Sequence, residues 1–202
     1  MEKPEPQYIK PIGIPPPKYQ VASPRVMMRP NIAQRMYEIS REHSELAKQV
    51  TGRNPNKDKP VEMKEAMISM LFAYTCLEAY INRIGHDELG IDWNDNKHKN
   101  YSLRKKWEEV PKELVRRTTG KVTDVFVVNK EPFKSFIELR GIRNDLIHNK
   151  AEFYDIELTK YGRMEKLVNV LSSEKAEWSC NTVKTMIGEL HNATGLSKPS
   201  WL

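Results

Sequence analysis

The sequence of 202 residues contains little cysteine and no long apolar run, and each shortage excludes a class of protein. The two cysteines, Cys76 and Cys180, lack a Cys-x-x-Cys spacing, which suits a reducing compartment and argues against a disulfide. No stretch approaches the roughly 20 apolar residues that span a bilayer, and the first residues lack the basic and apolar regions of a signal peptide. We therefore expect a soluble, cytoplasmic chain that makes no contact with a membrane.

Proline is concentrated at the beginning of the chain. Eight of the 13 prolines fall within residues 1–30. Because proline fixes φ and removes a backbone donor, this stretch is expected to form neither a helix nor a central strand. The remainder, with its ordinary apolar content, is long enough for one hydrophobic core but not for two. The sequence thus predicts an extended proline-rich arm over residues 1–30 and one helical domain over residues 31–202.

Helical periodicity of the apolar residues is the main pattern after residue 30. It predicts a helix over 31–50, a central and most apolar helix over 61–85, and a helix from Pro132 through residue 149. Further helical segments are predicted around 163–171 and from Ser173 to Gly195. The fold class is therefore expected to be an all-α helical bundle.

Prolines and glycines predict the breaks between these helices. Residues 52–60 are expected to form a loop, and Gly85 and Gly90 to bracket a polar connection. Ser102 is a candidate N-cap, and Pro111 is expected to divide the following basic region into two short helices. Residues 121–128 are β-branched and aromatic, so a short strand is possible there, although no partner strand follows.

The net charge of +6 resides in one segment of the chain. Residues 97–121 carry nine Lys and Arg against three Glu, whereas the other residues balance at 24 basic against 24 acidic. Cations interleaved with Tyr101 and Trp107 could attract a phosphate backbone and stack bases. A solvated, lysine-rich helix face has the same composition and is the commoner origin of such a charge run, so this segment alone favours the solvated face.

An arginine lies in the apolar face of the helix predicted after Pro132. At about 100° per residue, this arginine, Arg143, falls in the middle of a stripe of large apolar side chains. The stripe consists of Phe136, Leu139, Ile142, Leu146 and Ile147. A charge removed from water costs several kcal/mol unless it is paired, so Arg143 should meet an acid or open into a cleft or subunit interface. Glu78, on the apolar face of its own predicted helix, is the candidate for a structural ion pair.

His148 follows Arg143 by five residues, which places the two side chains about 140° apart around an ideal helix. They do not converge within one straight helix. Convergence requires a helix break near Ile147, or a second chain whose motif faces the motif of the first across a two-fold axis. A homodimer is therefore predicted. Asn144 lies one turn before His148 and can orient its imidazole.

Arg143, the polar Asn144 and His148 after four intervening residues resemble the Arg-polar-x-x-x-His motif of HEPN domains. The apolar segment LFAYTCLEAYINRI resembles the helix that precedes this motif, and the resemblance extends over residues 31–195. It implies an up-and-down helical bundle that dimerises and, in many members, cleaves RNA without a metal. Other members only bind RNA, nucleotides or protein.

The residue types suit metal-independent RNA cleavage by the ribose 2′-hydroxyl. Such a reaction needs a base of near-neutral pKa, a cation for the crowded phosphate and a polar orienting group, which His148, Arg143 and Asn144 would supply in turn. No metal or other cofactor is expected. The candidate RNA-binding residues are Arg104, Lys105, Lys106, Arg116, Arg117 and Arg140.

Three functions remain open at this point. The first is an endoribonuclease, as a toxin or antiviral defence factor that could have an antitoxin or regulatory partner. The second is a non-catalytic dimeric module that binds RNA, a nucleotide or a protein. The third is a structural helical protein whose arm wraps a neighbour. In the non-catalytic cases Arg143 is a core ion-pair residue and His148 a cation at a helix C-terminus.

Overall fold

The computed structural model describes residues 31–51, 55–147 and 170–202. The proline-rich arm predicted over 1–30, most of the helix predicted around 163–171, and His148 lie outside these residues. The described helices are α1 (Ile32–Val50), α2 (Pro55–Leu89), α3 (Leu103–Thr119), α4 (Phe133–Ile147) and α5 (Ser173–Thr194). The described ranges contain no β-strand, and the fold is an all-α helical bundle, as predicted.

The long helix α2 contacts every other described helix. Its 35 residues extend about 52 Å at 1.5 Å per residue. Its buried residues meet aromatic side chains from α1, α3 and α4 in one continuous core. The largest fully buried side chains of those three helices are Tyr37, Trp107, Phe133 and Phe136. The most apolar segment of the sequence is therefore a central helix, which confirms that prediction.

The structure contradicts the predicted loop over residues 55–60 and the predicted end of the central helix at Gly85. The helix begins at Pro55, where a missing N–H costs nothing, and it continues through Pro60, which removes one hydrogen bond near the helix start. It also passes through Gly85 and ends before Gly90, whose φ of +68° is left-handed. Gly85 is needed inside the helix because a Cβ there would overlap the indole ring of Trp93.

Pro111 does not divide the basic region either. α3 is one helix, with the Ser102 hydroxyl accepting a hydrogen bond from the Lys105 N–H at 3.3 Å, which confirms the predicted N-cap. Pro111 is buried in the same helix face as Trp107 and Leu114. Burial of this face offsets the cost of a proline in a helix, about 3 kcal/mol, so tertiary packing overrides the local break.

The segment between α3 and α4 has no regular structure. Phe126 is buried, whereas Val122 is 66% exposed and Val127 and Val128 are also largely exposed. The β-branched pattern therefore forms neither a strand nor a buried extended segment, except at Phe126.

Both cysteines are buried free thiols. Burial raises the pKa of Cys76 to about 12, so its reactive thiolate is not populated near neutral pH. In the part of the chain that the structure describes, no helix has the length and apolar character to cross a membrane.

A buried carboxylate on α2 holds the beginning of α5. Glu62 is 6% exposed and accepts a hydrogen bond from the backbone N–H of Ser173 at 2.9 Å. It also forms an ion pair with Lys59 at 3.1 Å. Burial alone would raise the pKa of Glu62, but the Ser173 N–H and Lys59 outweigh it and lower the pKa below its usual value. The charged form therefore stabilises the fold.

We predict that Glu62→Ala lowers the free energy of unfolding by about 1.5 to 3 kcal/mol at pH 7, the usual contribution of a hydrogen bond to a buried charged group. Because the folded-state pKa is depressed, this contribution exists above the unfolded pKa of about 4.3 and is lost as pH falls through the folded value. Urea denaturation at pH 7 and below pH 4 measures the difference. Glu45→Ala, on exposed α1 surface, is the matched control, and an equal loss at both pH values would contradict the role of the charge.

Candidate functional site

A polar stripe on α2 forms the centre of the candidate site. Tyr74, Glu78 and Asn82 are spaced by four residues and so lie on one side of the helix. Two neighbouring helices place cations against this stripe, α4 at its Tyr74 end and α3 at its Asn82 end. The residues of the site thus come from three helices that the core holds together.

Arg143 lies at the Tyr74 end of the stripe. Its guanidinium carbon is 5.3 Å from the centroid of the Tyr74 ring, and its Nη1 donates a hydrogen bond to Asn144 Oδ1 at 3.1 Å. The Tyr74 ring is in turn stacked with Phe136 of α4, at 6.5 Å between centroids. Arg143 and Asn144 are both half-buried, so this part of the predicted motif borders the core and also reaches the surface.

Glu78 does not form the expected direct ion pair with Arg143. Among the described residues, no carboxylate lies within 4 Å of the Arg143 guanidinium. Glu78 acts at longer range instead. Burial raises the pKa of Tyr74 and Glu78 raises it further, while Arg143 and Arg140 oppose this shift. Glu78 is therefore a shared counter-charge for the stripe, rather than the partner of one arginine.

Lys106 of α3 occupies the Asn82 end. Its ammonium donates to Asn82 Oδ1 at 2.8 Å and lies 4.4 Å from the centroid of the Trp93 ring. Burial lowers the pKa of Lys106, and Glu78 partly opposes that shift. Within the described ranges no carboxylate lies within 4 Å of this ammonium. A partly desolvated cation without a close counter-ion is a suitable contact for a phosphate.

The other candidate RNA-binding cations of α3 divide into two groups. Arg104 pairs with Glu108 at 2.8 Å, and Arg116 and Arg117 both pair with Glu113, at 2.6 and 3.1 Å. The hydrogen bond from Arg116, reinforced by Arg117, lowers the pKa of Glu113 to about 2. Each of these three arginines has a close carboxylate, although Arg116 and Arg117 share one, and this pairing reduces their attraction for phosphate.

Lys105 belongs to the second group. It is exposed, lies 5.0 Å from the centroid of the Tyr101 ring, and has no carboxylate within 4 Å in the described part of the chain. Arg140 is half-buried beside Tyr74 and likewise forms no ion pair with a described residue. Of Arg143 and the candidate RNA-binding cations, those with no carboxylate within 4 Å in the described part of the chain are thus Lys105, Lys106, Arg140 and Arg143.

Trp93, besides Tyr74, is an aromatic residue of this site, and the sequence did not single it out. Trp107, considered there as a stacking group, is fully buried and cannot stack on a base. Trp93 is half-buried, and its Nε1 donates to the backbone oxygen of Asn82 at 2.8 Å. A glycine inside an otherwise helical pattern, Gly85, was the available signal that a large side chain approaches α2 there.

The histidine of the motif lies outside the described residues. α4 is described as far as Ile147, whose side chain is 51% exposed, whereas Phe136, Leu139 and Ile142 are buried as the apolar stripe predicted. The predicted convergence of Arg143 with His148 therefore remains a prediction. The exposed Ile147 shows that the apolar stripe of α4 extends beyond the core that the described residues form.

The fold and the site define a class of protein, an all-α bundle with a cationic, aromatic-lined face on α2, α3 and α4. No family model matches the sequence, and no curated protein or solved structure is significantly similar to it. The resemblance to HEPN domains accordingly rests on Arg143, Asn144 and His148 and on the helical pattern.

We predict that Arg143→Ala lowers the free energy of unfolding by about 0.5 to 2 kcal/mol, the value of a cation–π contact. Loss of one partner of a sealed ion pair would cost about 3 to 5 kcal/mol, because it leaves a buried charge uncompensated. Urea denaturation measures the difference. Arg35→Ala is the control, because its exposed side chain is paired to Glu38, and it should leave the free energy of unfolding nearly unchanged. A loss above about 3 kcal/mol for Arg143→Ala would contradict the cation–π contact and support a buried ion pair with Glu78.

Proposed function

We propose that this protein is a cytoplasmic, metal-independent endoribonuclease of the HEPN type. The observation that carries the proposal is the set of cations around the α2 stripe. Arg140, Arg143 and Lys106 are partly desolvated, and in the described residues none of them has a carboxylate within 4 Å. Glu78 alone does not balance three positive charges, and a phosphodiester would supply the missing negative charge.

The chemistry assigns one role to each residue of the motif. The His148 imidazole takes the proton of a ribose 2′-hydroxyl, whose oxygen attacks the adjacent phosphorus. The bond from phosphorus to the 5′-oxygen breaks, and that oxygen takes up a proton from water while the imidazolium returns its own proton to water, leaving a 2′,3′-cyclic phosphate and a 5′-hydroxyl. Arg143 stabilises the charge of the pentacoordinate phosphorane. Asn144 orients the guanidinium by accepting a hydrogen bond from its Nη1.

A homodimer completes this proposal. Arg143 and His148 diverge on an ideal helix, so a second copy of the motif would bring an arginine of one chain toward a histidine of the other. The exposure of Ile147, directly beside the motif, supports an interface at this end of α4.

A second candidate is a non-catalytic dimeric module that holds RNA. It is favoured by the contacts of Arg143, whose guanidinium already lies over Tyr74 and is bonded to Asn144. An arginine held in this way can bind a phosphate without any chemistry. A toxin or defence role, with an antitoxin or regulatory protein as partner, is compatible with both candidates and follows only from the HEPN resemblance.

We predict that the wild-type chain cleaves a structured RNA in excess EDTA and that His148→Ala abolishes this cleavage. EDTA should not inhibit, because imidazole and guanidinium supply the base and the charge. Gel analysis with mass determination of the 3′ ends measures the products, and circular dichroism checks each fold. His86→Ala, in exposed surface at the end of α2, is the matched control and should retain full activity.

The outcomes separate the candidates. Cleavage that survives in folded His148→Ala, or that disappears on chelation, rejects the proposed chemistry. RNA binding by the wild type without any cleavage selects the non-catalytic module.

We predict that the protein is a dimer at micromolar concentration and that Ile147→Asp shifts it to monomer with loss of cleavage. A carboxylate in an apolar interface loses its hydration without gaining a partner. Light scattering measures the mass. Val122→Asp changes a side chain that is even more exposed, at 66%, but remote in sequence from the motif, and it should leave the dimer intact. A wild-type protein found only as monomer would contradict the dimer.

A further inference from the structure

A cleft lies between the loop that joins α2 to α3 and the body of α3. Its volume is about 390 Å³, within the range of small-molecule sites. Tyr101 and His98 of the loop line it together with Val110 of α3. None of these residues belongs to the motif on α4, and the cleft is therefore a separate feature of the cationic face.

His98 and Tyr101 form the aromatic wall of the cleft, and the backbone N–H of Tyr101 donates to the His98 backbone oxygen at 2.9 Å. The rings of His98 and Tyr101 meet edge to face, with 5.2 Å between centroids. Asp95 fixes His98 by accepting from its backbone N–H at 2.7 Å and from its ring Nδ1 at 2.8 Å. Tyr101 is half-buried, and the exposed Lys105 ammonium lies over its ring, 5.0 Å from the centroid, so a stacked base would displace this ammonium toward a flanking phosphate. A fixed, accessible aromatic ring is a platform on which a flat ring can stack.

The charges at the cleft differ from those beside it. Three Lys and Arg and four carboxylates line the cleft itself, and the two arginines among them are tied to Glu113. A phosphate would therefore gain little electrostatic attraction inside the cleft. Lys105 and Lys106 are not part of the lining, and both lack a close carboxylate among the described residues. The cleft thus suits an uncharged aromatic group, and the adjoining lysines suit anions.

We propose that this cleft binds one unpaired nucleobase of single-stranded RNA, stacked on Tyr101, while Lys105 and Lys106 contact the flanking phosphates. This rests on the proposed function, because the same Lys106 borders the α2 stripe that holds Arg143. Along α2, Asn82 and Tyr74 are two turns apart, about 12 Å, so Lys106 and Arg143 contact opposite ends of the same polar stripe. A base in a duplex cannot enter, since it is stacked and paired on both sides.

The test measures binding of wild-type protein to a short single-stranded RNA and to a duplex of the same sequence. Both carry 2′-O-methyl groups, which remove the attacking hydroxyl, so binding is observed without cleavage. We expect Tyr101→Leu to weaken single-strand binding about 10-fold and to leave duplex binding unchanged, because only the single strand gains the stacked base. Tyr101→Phe keeps the ring and should retain the affinity.

The lysines are tested by the salt dependence of the same binding. Replacing Lys105 and Lys106 with Gln should reduce the magnitude of the logarithmic salt slope by about 1.4, the value for two phosphate contacts to a single strand. Trp178→Leu is the matched control. The Lys175 ammonium lies 4.1 Å from the centroid of the Trp178 ring, as a lysine does at Tyr101, but Lys175 also forms an ion pair with Glu138 at 2.6 Å. It should leave both affinity and slope unchanged.

The outcomes for this subsite and for catalysis are distinguishable. If Tyr101→Leu is folded by circular dichroism and binds single strands as wild type does, or weakens duplex binding equally, the base subsite is overturned. If natural RNA is cut with an unchanged KM by that variant, the subsite fails while the ribonuclease stands. If wild type shows the expected binding pattern but never cuts natural RNA, the subsite stands while the ribonuclease fails.

Discussion

The packing of α2 against all the other described helices is the constraint on which this structure depends. One side of the helix supplies Met70, Leu77 and Ile81 to the core, all fully buried. Tyr74, Glu78 and Asn82 follow the border of that core, where α3 and α4 approach. The site residues are thus positioned by the same burial that stabilises the fold, and their polar atoms are partly desolvated because of it.

Competition for partners decides which cations of α3 are left for an anion. The pairs of Arg104 with Glu108 and of Arg116 with Glu113 have helical spacings and could be read from the sequence. By the same rule Lys105 could have paired with Glu109, four residues later, yet it lies over Tyr101, four residues earlier. The helical spacing allows Lys105 either partner, Glu109 or Tyr101. The structure has the contact with Tyr101, a residue of the α2–α3 loop.

The ends of α1 and α5 and the beginning of α3 could be predicted because caps and glycines act within a few residues. The predictions at Pro60, Gly85 and Pro111 failed for the opposite reason. At Gly85 and Pro111 the local preference is outweighed by side chains that are distant in sequence or by burial of a whole helix face. The same holds for the site. The position of Arg143 in the apolar face could be predicted from the sequence, but its contact with the Tyr74 ring and the contact of Lys106 with the Trp93 ring could not.

The contact of Arg143 with Tyr74 has a consequence for what the site can bind. A guanidinium over an aromatic ring uses its π face, whereas its five N–H donors point outward in its plane. The described residues engage one of its nitrogens, Nη1, through Asn144. The planar fork can therefore still form two parallel hydrogen bonds to a phosphate. A lysine at this position would keep the charge but lose both the planar stacking and the paired donors, so the geometry specifically uses arginine.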